Sequence, residues 1–418
     1  MNGSSSASKI TGLSSLMVHG PRGYFRWTAY VLAVTAFAAA IPSPLYPVYE
    51  QHFRFTAGVL GLVFAAYTPG VLLTLFLVAP QAEFVGRRRL LTLGMALTAI
   101  GALVFAAAPG VGWLALGRFL SGLAVGTTTS VATAALSDLE PNRDPHHVAR
   151  VAVASNFGGF AVGVGLSGVF VQFGPFPTEL VYLLPVLAAS VGFLAVHVTP
   201  ETATEMGARS SWRIQRIRVA SSIRRPFWVA AGGITACYSI YGFFAALIPS
   251  YVRNGLDDPR AAAVGAIVAL MFGMAAVCQL GTAQIRDRRA LLLGFPVMLL
   301  SLGTLVLILP LDNSGLLLLA TGVLGVSVGL TFMGSTTLVD RVTTEEERGE
   351  TLAGYYSAGY LALAVPTIGV AELSVHVGLT DAGILFGAVL ACAVALLYVV
   401  ILQTPTPPGG GGRPRDRR

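Results

Sequence analysis

Twelve apolar runs, each separated from the next by polar punctuation, leave this chain few ways to fold. They fall at about 27–48, 57–79, 90–108, 112–137, 148–172 and 179–198, and again at about 228–251, 261–283, 290–310, 315–339, 351–372 and 382–402. As a helix rising about 1.5 Å per residue, each run crosses a bilayer core roughly 30 Å thick. Lipid supplies no hydrogen-bond partners to open backbone, so helix is the expected state, and runs of this length are too long for barrel strands. Composition agrees: 54% of the 418 residues are hydrophobic and 11% charged, against about 25% charged in soluble domains. The expected fold class is an all-α membrane protein with twelve transmembrane helices.

The placement of charge predicts orientation. With the N-terminus in the cytoplasm, 23 of the 27 basic residues fall in cytoplasmic segments and only Arg54, Arg253 and Arg260 in outer loops. That bias places both termini in the cytoplasm. The net charge of +7 is spread between apolar runs, so a nucleic-acid partner is not expected. Cys237, Cys278 and Cys392 lie inside apolar runs and read as small core residues, not disulfide partners or metal ligands. Met1 to Gly20 has no long apolar core and does not read as a cleavable signal peptide. No nucleophile–base constellation, phosphate loop or metal cluster stands out, so neither an enzyme nor a cofactor is expected.

The two sets of runs repeat each other. Trp27 and Trp228 open them 201 residues apart, and Arg87–Arg88 and Arg288–Arg289 share that offset. Ile41-Pro42-Ser43 recurs as Ile248-Pro249-Ser250 at offset 207, and Gly122 and Gly126 recur as Gly325 and Gly329 at offset 203. Two parallel halves related by an axis along the membrane normal are one transporter plan. The expected division is a disordered cytoplasmic N-terminus at 1–25 and a six-helix bundle at 26–198. A basic cytoplasmic linker follows at 199–227, then a second bundle at 228–402 and a disordered basic tail at 403–418. The linker's arginines suit anionic lipid.

Between the second and third runs the sequence reads Ala79-Pro-Gln-Ala-Glu83-Phe-Val-Gly86-Arg87-Arg88-Arg89. It resembles the Gly-x-Leu-Ala-Asp-Arg-x-Gly-Arg-Arg loop of the major facilitator superfamily. Gly86, Arg87 and Arg88 match, Glu83 stands at the aspartate, and Ala79, Gln81 and Phe84 depart from the pattern. The second-half copy is weaker, with Gln284 at the acidic position and Asp287 at the glycine. Arg118-Phe-Leu-Ser-Gly122 resembles the family's Arg-x-x-x-Gly element, and Pro200-Glu201-Thr202 is similar to a common sixth-span ending. The run from Gly159 through Gly163, Val164 and Gly165 to Gly168 is similar to the glycine-rich element of drug/proton antiporters, with Val164 replacing its proline. The resemblance implies two pseudo-symmetric six-helix bundles, the major facilitator fold, in the plasma (inner) membrane. It points to the twelve-span drug/proton antiporter group, with a small-molecule substrate, protons and the bilayer as partners and a monomer as the working unit.

Candidate site residues follow. Arg118 is the one charge well inside a run; it either serves a gate or coupling step against span-one carbonyls freed by Pro42 and Pro44 (those of Ala38 and Ala40), or snorkels to the outer interface. Gly122, Gly126, Gly159, Gly163 and Gly168 are packing glycines, the span-five set also allowing sliding. Glu83, Gly86, Arg87 and Arg88 could meet Glu346 and Glu347 as a cytoplasmic gate; alternatively, Thr343 with Glu346 and Thr344 with Glu347 form capping boxes at the start of span eleven. Cavity candidates are Pro42, Tyr46, Asn156, Tyr238, Tyr241, Phe244, Tyr356 and Tyr360. Tyr46 and Tyr360 serve equally well as interface anchors, and Asn156 as a helix–helix hydrogen-bond donor. No Asp, Glu or His falls near a bilayer midplane, leaving Glu50 and Glu83 as the motif-linked titratable groups. The leading expectation is an exporter of hydrophobic or amphipathic compounds, with a facilitator or importer of a neutral metabolite or a non-transporting receptor as rivals.

Overall fold

The computed structural model describes residues 20–203, 214–254, 260–282, 285, 287–311, 313–344 and 347–403. Among them, twelve helices are long and apolar enough to cross a membrane. They are α1 (Arg22–Phe53), α2 (Ala57–Val85), α3 (Arg87–Ala106), α4 (Val111–Leu139), α5 (Pro145–Phe173) and α6 (Pro177–Val198). The second set is α7 (Ser221–Ala246), α8 (Ala261–Gly281), α9 (Arg288–Leu311), α10 (Gly315–Val342), α11 (Arg348–Val377) and α12 (Leu379–Gln403). Each helix covers one apolar run, because in lipid the chain must close its hydrogen bonds within the segment. The fold is that of an all-α membrane protein.

Prolines explain the breaks in α1 and at the end of α7. In α1 the regular helix stops at Ala40, a 3₁₀ turn follows at Ser43–Leu45, and the helix resumes at Tyr46–Phe53. Pro42 and Pro44 lack the N–H groups that a continuous helix would use. The seventh run, expected to be continuous over 228–251, instead ends at Ala246 and restarts as a short helix, Ile248–Asn254. Pro249 is the cause, so the repeated Ile-Pro-Ser marks a break in both places.

Packing follows the same plan twice. α1 packs on α4, α5 and α6, α2 on α4, and α3 on α4 and α6. Correspondingly, α7 packs on α10, α11 and α12, α8 on α10, and α9 on α10 and α12. Two broad interfaces join the sets, α5 with α8 and α2 with α11. They are equivalent under the duplication, since α2 corresponds to α8 and α5 to α11.

The packing glycines sit where backbones nearly touch. A Cβ on Gly122 would collide with the Tyr67 carbonyl of α2, and one on Gly126 with Thr74 Oγ1 and Val71. In the repeat, a Cβ on Gly325 would meet Met271 O at 2.6 Å and one on Gly329 would meet Ala275 O at 2.7 Å, both on α8. Gly159 and Gly163 lie against the Ala33 and Phe37 carbonyls of α1, whereas Gly168 lies against Ala261 and Gly265 of α8. The span-five glycines therefore serve two neighbours, one inside the first six helices and one across the interface. Leu187, Leu319 and Leu396 are 64%, 70% and 69% exposed; such outward leucines suit lipid and not water. Cys237 and Cys278 are buried as expected of core residues, whereas Cys392 is exposed on α12.

Gly122→Val should destabilise the protein by about 1–3 kcal/mol or more through overpacking against α2. Thermal unfolding in detergent, with the outward-facing Leu319→Val as the control, should show the loss at Gly122 alone.

Candidate functional site

The break in α1 creates a polar requirement deep in an apolar setting. A helix end leaves its last four carbonyls without intrahelical donors. The regular part of α1 ends at Ala40, so the carbonyl of Ala39 is one of these. Arg118 Nη1 donates to it at 2.9 Å, and a cation at a helix C-terminus also meets a favourable dipole. The structure thus directs Arg118 to Ala39, between the two carbonyls expected from the prolines alone. Ser167 Oγ of α5 donates to another carbonyl at the break, Ile41 O, at 2.7 Å.

Arg118 lies seven residues into α4, roughly 10 Å along the helix, and is 4% exposed. Its Cζ sits over the rings of Phe64, Tyr46 and Tyr67 at 4.7, 5.4 and 5.8 Å. Desolvated cation–π contacts of this kind reach about 2 kcal/mol. No carboxylate pairs with Arg118 among the described residues, and Arg118 Nε lacks a hydrogen-bond partner. The guanidinium does not snorkel. Tyr46 closes this box and is 0% exposed, so it is not an interface anchor.

From Tyr67 a chain of rings crosses between the two helix sets. Tyr67 lies 6.4 Å from Tyr360, which meets Tyr238 edge-on at 5.2 Å. Tyr238 contacts Tyr241 at 5.7 Å, and Tyr241 stacks on Phe272 at 5.1 Å. Phe157 of α5 touches Tyr241 at 5.8 Å and Phe332 at 5.5 Å, and Phe160 stacks on Phe272 at 5.3 Å. Thr68 Oγ1 donates to Tyr360 O across the same interface at 3.1 Å. Tyr241 is buried and its hydroxyl has no partner. Asn156, Tyr238, Tyr356 and Tyr360 remain partly exposed. Tyr356 instead contacts Tyr355 at 5.1 Å, and Phe244 is fully buried beside Phe243.

The rings missed by sequence reasoning are Phe64, Tyr67, Phe157, Phe160, Phe272 and Phe332. Phe64 and Tyr67 carried a usable signal, an i, i+3 aromatic pair in span two. The others are single aromatics in apolar runs, which a core residue would match equally well.

At the end of the spans where α1 breaks, the two sets are bonded together. Ser43 Oγ donates to Ala245 O at 2.6 Å, the carbonyl that Pro249 deprives of its helical N–H. In the repeat, Ser250 Oγ donates to Glu50 Oε2 at 2.7 Å, and Arg253 donates to Gln51 Oε1 at 2.7 Å. Pro42 is buried at this break.

At the other end Arg87 is the hub. Gly86, at φ +100°, supplies the turn into α3. The Arg87 guanidinium pairs with Glu83 and Asp138 and reaches Thr202 Oγ1 at 3.5 Å. Glu201, beyond α6, accepts from the Arg87 and Arg88 N–H groups at 2.9 and 3.1 Å and so caps α3 from a distance in sequence. Glu83, Arg87, Asp138, Arg143, Asp144 and Thr202 help to line a cavity of about 520 Å³. Arg88 is exposed.

Among the described residues, the expected Thr344–Glu347 capping box does not form. Thr343 Oγ1 donates to Val339 O at 2.6 Å, closing α10 instead of opening α11. The α11 helix starts at Arg348 with Glu347 as its N-cap residue and no side-chain cap bond. The start of the helix therefore lies too late for Thr343 or Thr344 to cap it. Glu346 lies outside the described residues, as do Gln284 and the terminal segments; no ion pair joins Glu347 to Arg87 or Arg88 among the described residues.

Glu201→Ala should remove the remote cap and cost about 0.5–2 kcal/mol. Glu201→Gln should restore part of the loss, read as thermal unfolding in detergent; equal losses would argue against capping.

A family profile described as the Major Facilitator Superfamily matches residues 28–367. A search of curated proteins gave no match. The twelve helices, their duplicated packing and this match together place the chain in the major facilitator superfamily, as a multi-pass membrane protein and a secondary transporter.

Proposed function

We propose that the protein exports small hydrophobic or amphipathic organic compounds by alternating access, in exchange for protons. The observation that carries this reading is the aromatic interior shared by the two helix sets, with Tyr238, Tyr241 and Tyr360 on one side and Tyr67 and Phe157 on the other. Such faces hold apolar and aromatic ligands by stacking and burial. The arginine bias supports a plasma-membrane protein with both termini in the cytoplasm. In that orientation the bonded end, with Ser43 and Ser250, faces outward, and the Arg87 hub faces inward. The glycine-rich element of α5 favours the drug/proton antiporter group. Glu50 and Glu83, one at each end, are the carboxylates offered for proton exchange. The working unit is a monomer.

Reconstituted in proteoliposomes, the protein should accumulate a fluorescent amphipathic substrate only under an imposed pH gradient of the antiport sense. Accumulation unchanged by collapse of the gradient would remove proton antiport. Arg118→Lys should lower the rate at least about tenfold, because an ammonium cannot reproduce the planar contacts of the guanidinium. An unchanged rate would deny that residue a specific role.

A further inference from the structure

We infer that the interior selects by charge, accepting neutral and anionic aromatic compounds and rejecting organic cations, with Arg118 as the determinant. The inference rests on the transporter reading above and adds the chemical class of the substrate. Every Asp and Glu lies in a loop or near a span end; the deepest, Glu372, is five residues from the end of α11 at Val377. Arg118 is thus the fixed charge of the interior. It lacks a carboxylate partner among the described residues, and rings and one carbonyl oxygen spread its field without cancelling its charge.

That charge is close to the inter-half rings. Arg118 Cζ is 5.8 Å from the Tyr67 ring, and Tyr67 is 6.4 Å from Tyr360. A ligand at Tyr360 and Tyr238 therefore feels a unit positive charge two ring contacts away. At an effective dielectric constant of about 20, this discriminates between opposite ligand charges by roughly tenfold or more. A second observation points to the ligand's polar group. The Tyr241 hydroxyl is buried among Phe157, Tyr238 and Phe272 with no partner. A buried unpaired hydroxyl is costly, and a carbonyl or carboxylate oxygen on the substrate would accept from it. A quaternary ammonium group has nothing to accept with.

The test uses the full chain in proteoliposomes with the membrane potential clamped at zero. Three probes share a naphthalene ring and carry an amide, a carboxylate or a trimethylammonium group. The amide and carboxylate should be transported at least about tenfold faster than the ammonium compound. An ammonium compound moved as fast as the others overturns the charge inference and leaves the transporter reading intact. If none is moved above protein-free vesicles, the transporter reading fails for this class, and binding by the purified chain, read as intrinsic fluorescence quenching, still decides the charge order. Ammonium binding as tight as carboxylate binding, or no binding of any probe, overturns the inference.

Arg118→Gln should erase the discrimination, although it also removes the bond to Ala39 that holds α1. Asn156→Asp gives an independent check: it places a carboxylate beside Phe157 and leaves Arg118 in place. It should raise ammonium transport or binding about tenfold over the parent chain, and no change would overturn an electrostatic origin.

Discussion

Backbone carbonyls that lose their helical donors inside an apolar environment must find others, and this requirement organises the rest of the structure. The breaks in α1 and after α7 free such groups. Ala39 O takes Arg118 of α4, Ile41 O takes Ser167 of α5, and Ala245 O takes Ser43 from the other helix set. Three bonds thus tie α1 to its neighbours and join the sets at one end. Arg118 gains a place in the interior because a helix end offers it a carbonyl and a favourable dipole, while Phe64, Tyr46 and Tyr67 supply π faces in place of water.

The two ends of the molecule are held in different ways. At the end with the α1 break, side chains of one set bond to the other: Ser43 to Ala245, Ser250 to Glu50, Arg253 to Gln51. At the Arg87 end the charged partners, Glu83, Asp138 and Glu201, all belong to the first six helices and the segment that follows them. They stabilise that set internally. Near the α1 break, the α5–α8 contact at Gly168 and Gly265 is backbone against backbone, where van der Waals packing supplies the attraction.

Duplication shows in the structure as repeated physics more than as repeated residues. Gly122 and Gly325 perform the same service, admitting the Tyr67 carbonyl of α2 in one case and the Met271 carbonyl of α8 in the other. The Ile-Pro-Ser repeat breaks a helix in both places, yet its serines bond differently, one to a carbonyl and one to a carboxylate. Arg118 has no counterpart, since the matching position in the tenth span is Thr321. The charge of the interior is therefore one-sided.

The apolar runs and arginine punctuation by themselves determined the twelve helices, because span length and backbone satisfaction are local demands that lipid imposes on each segment. Gly122 and Gly126 were legible as contact points for a similar reason: their spacing marks a helix face. What the tertiary structure decided is which groups meet. The choice of Ala39 for Arg118 depends on where α1 stops, and the Glu201 cap joins residues 114 positions apart. The capping-box reading failed because α11 starts only at Arg348, with Glu347 as its N-cap residue, while the Thr343 hydroxyl donates to Val339 O at the end of α10. The ring chain from Tyr67 to Phe272 was hidden, since an isolated aromatic in an apolar run carries no record of its partner. Sequence pattern reports the environment of a segment; only packing reports its neighbours.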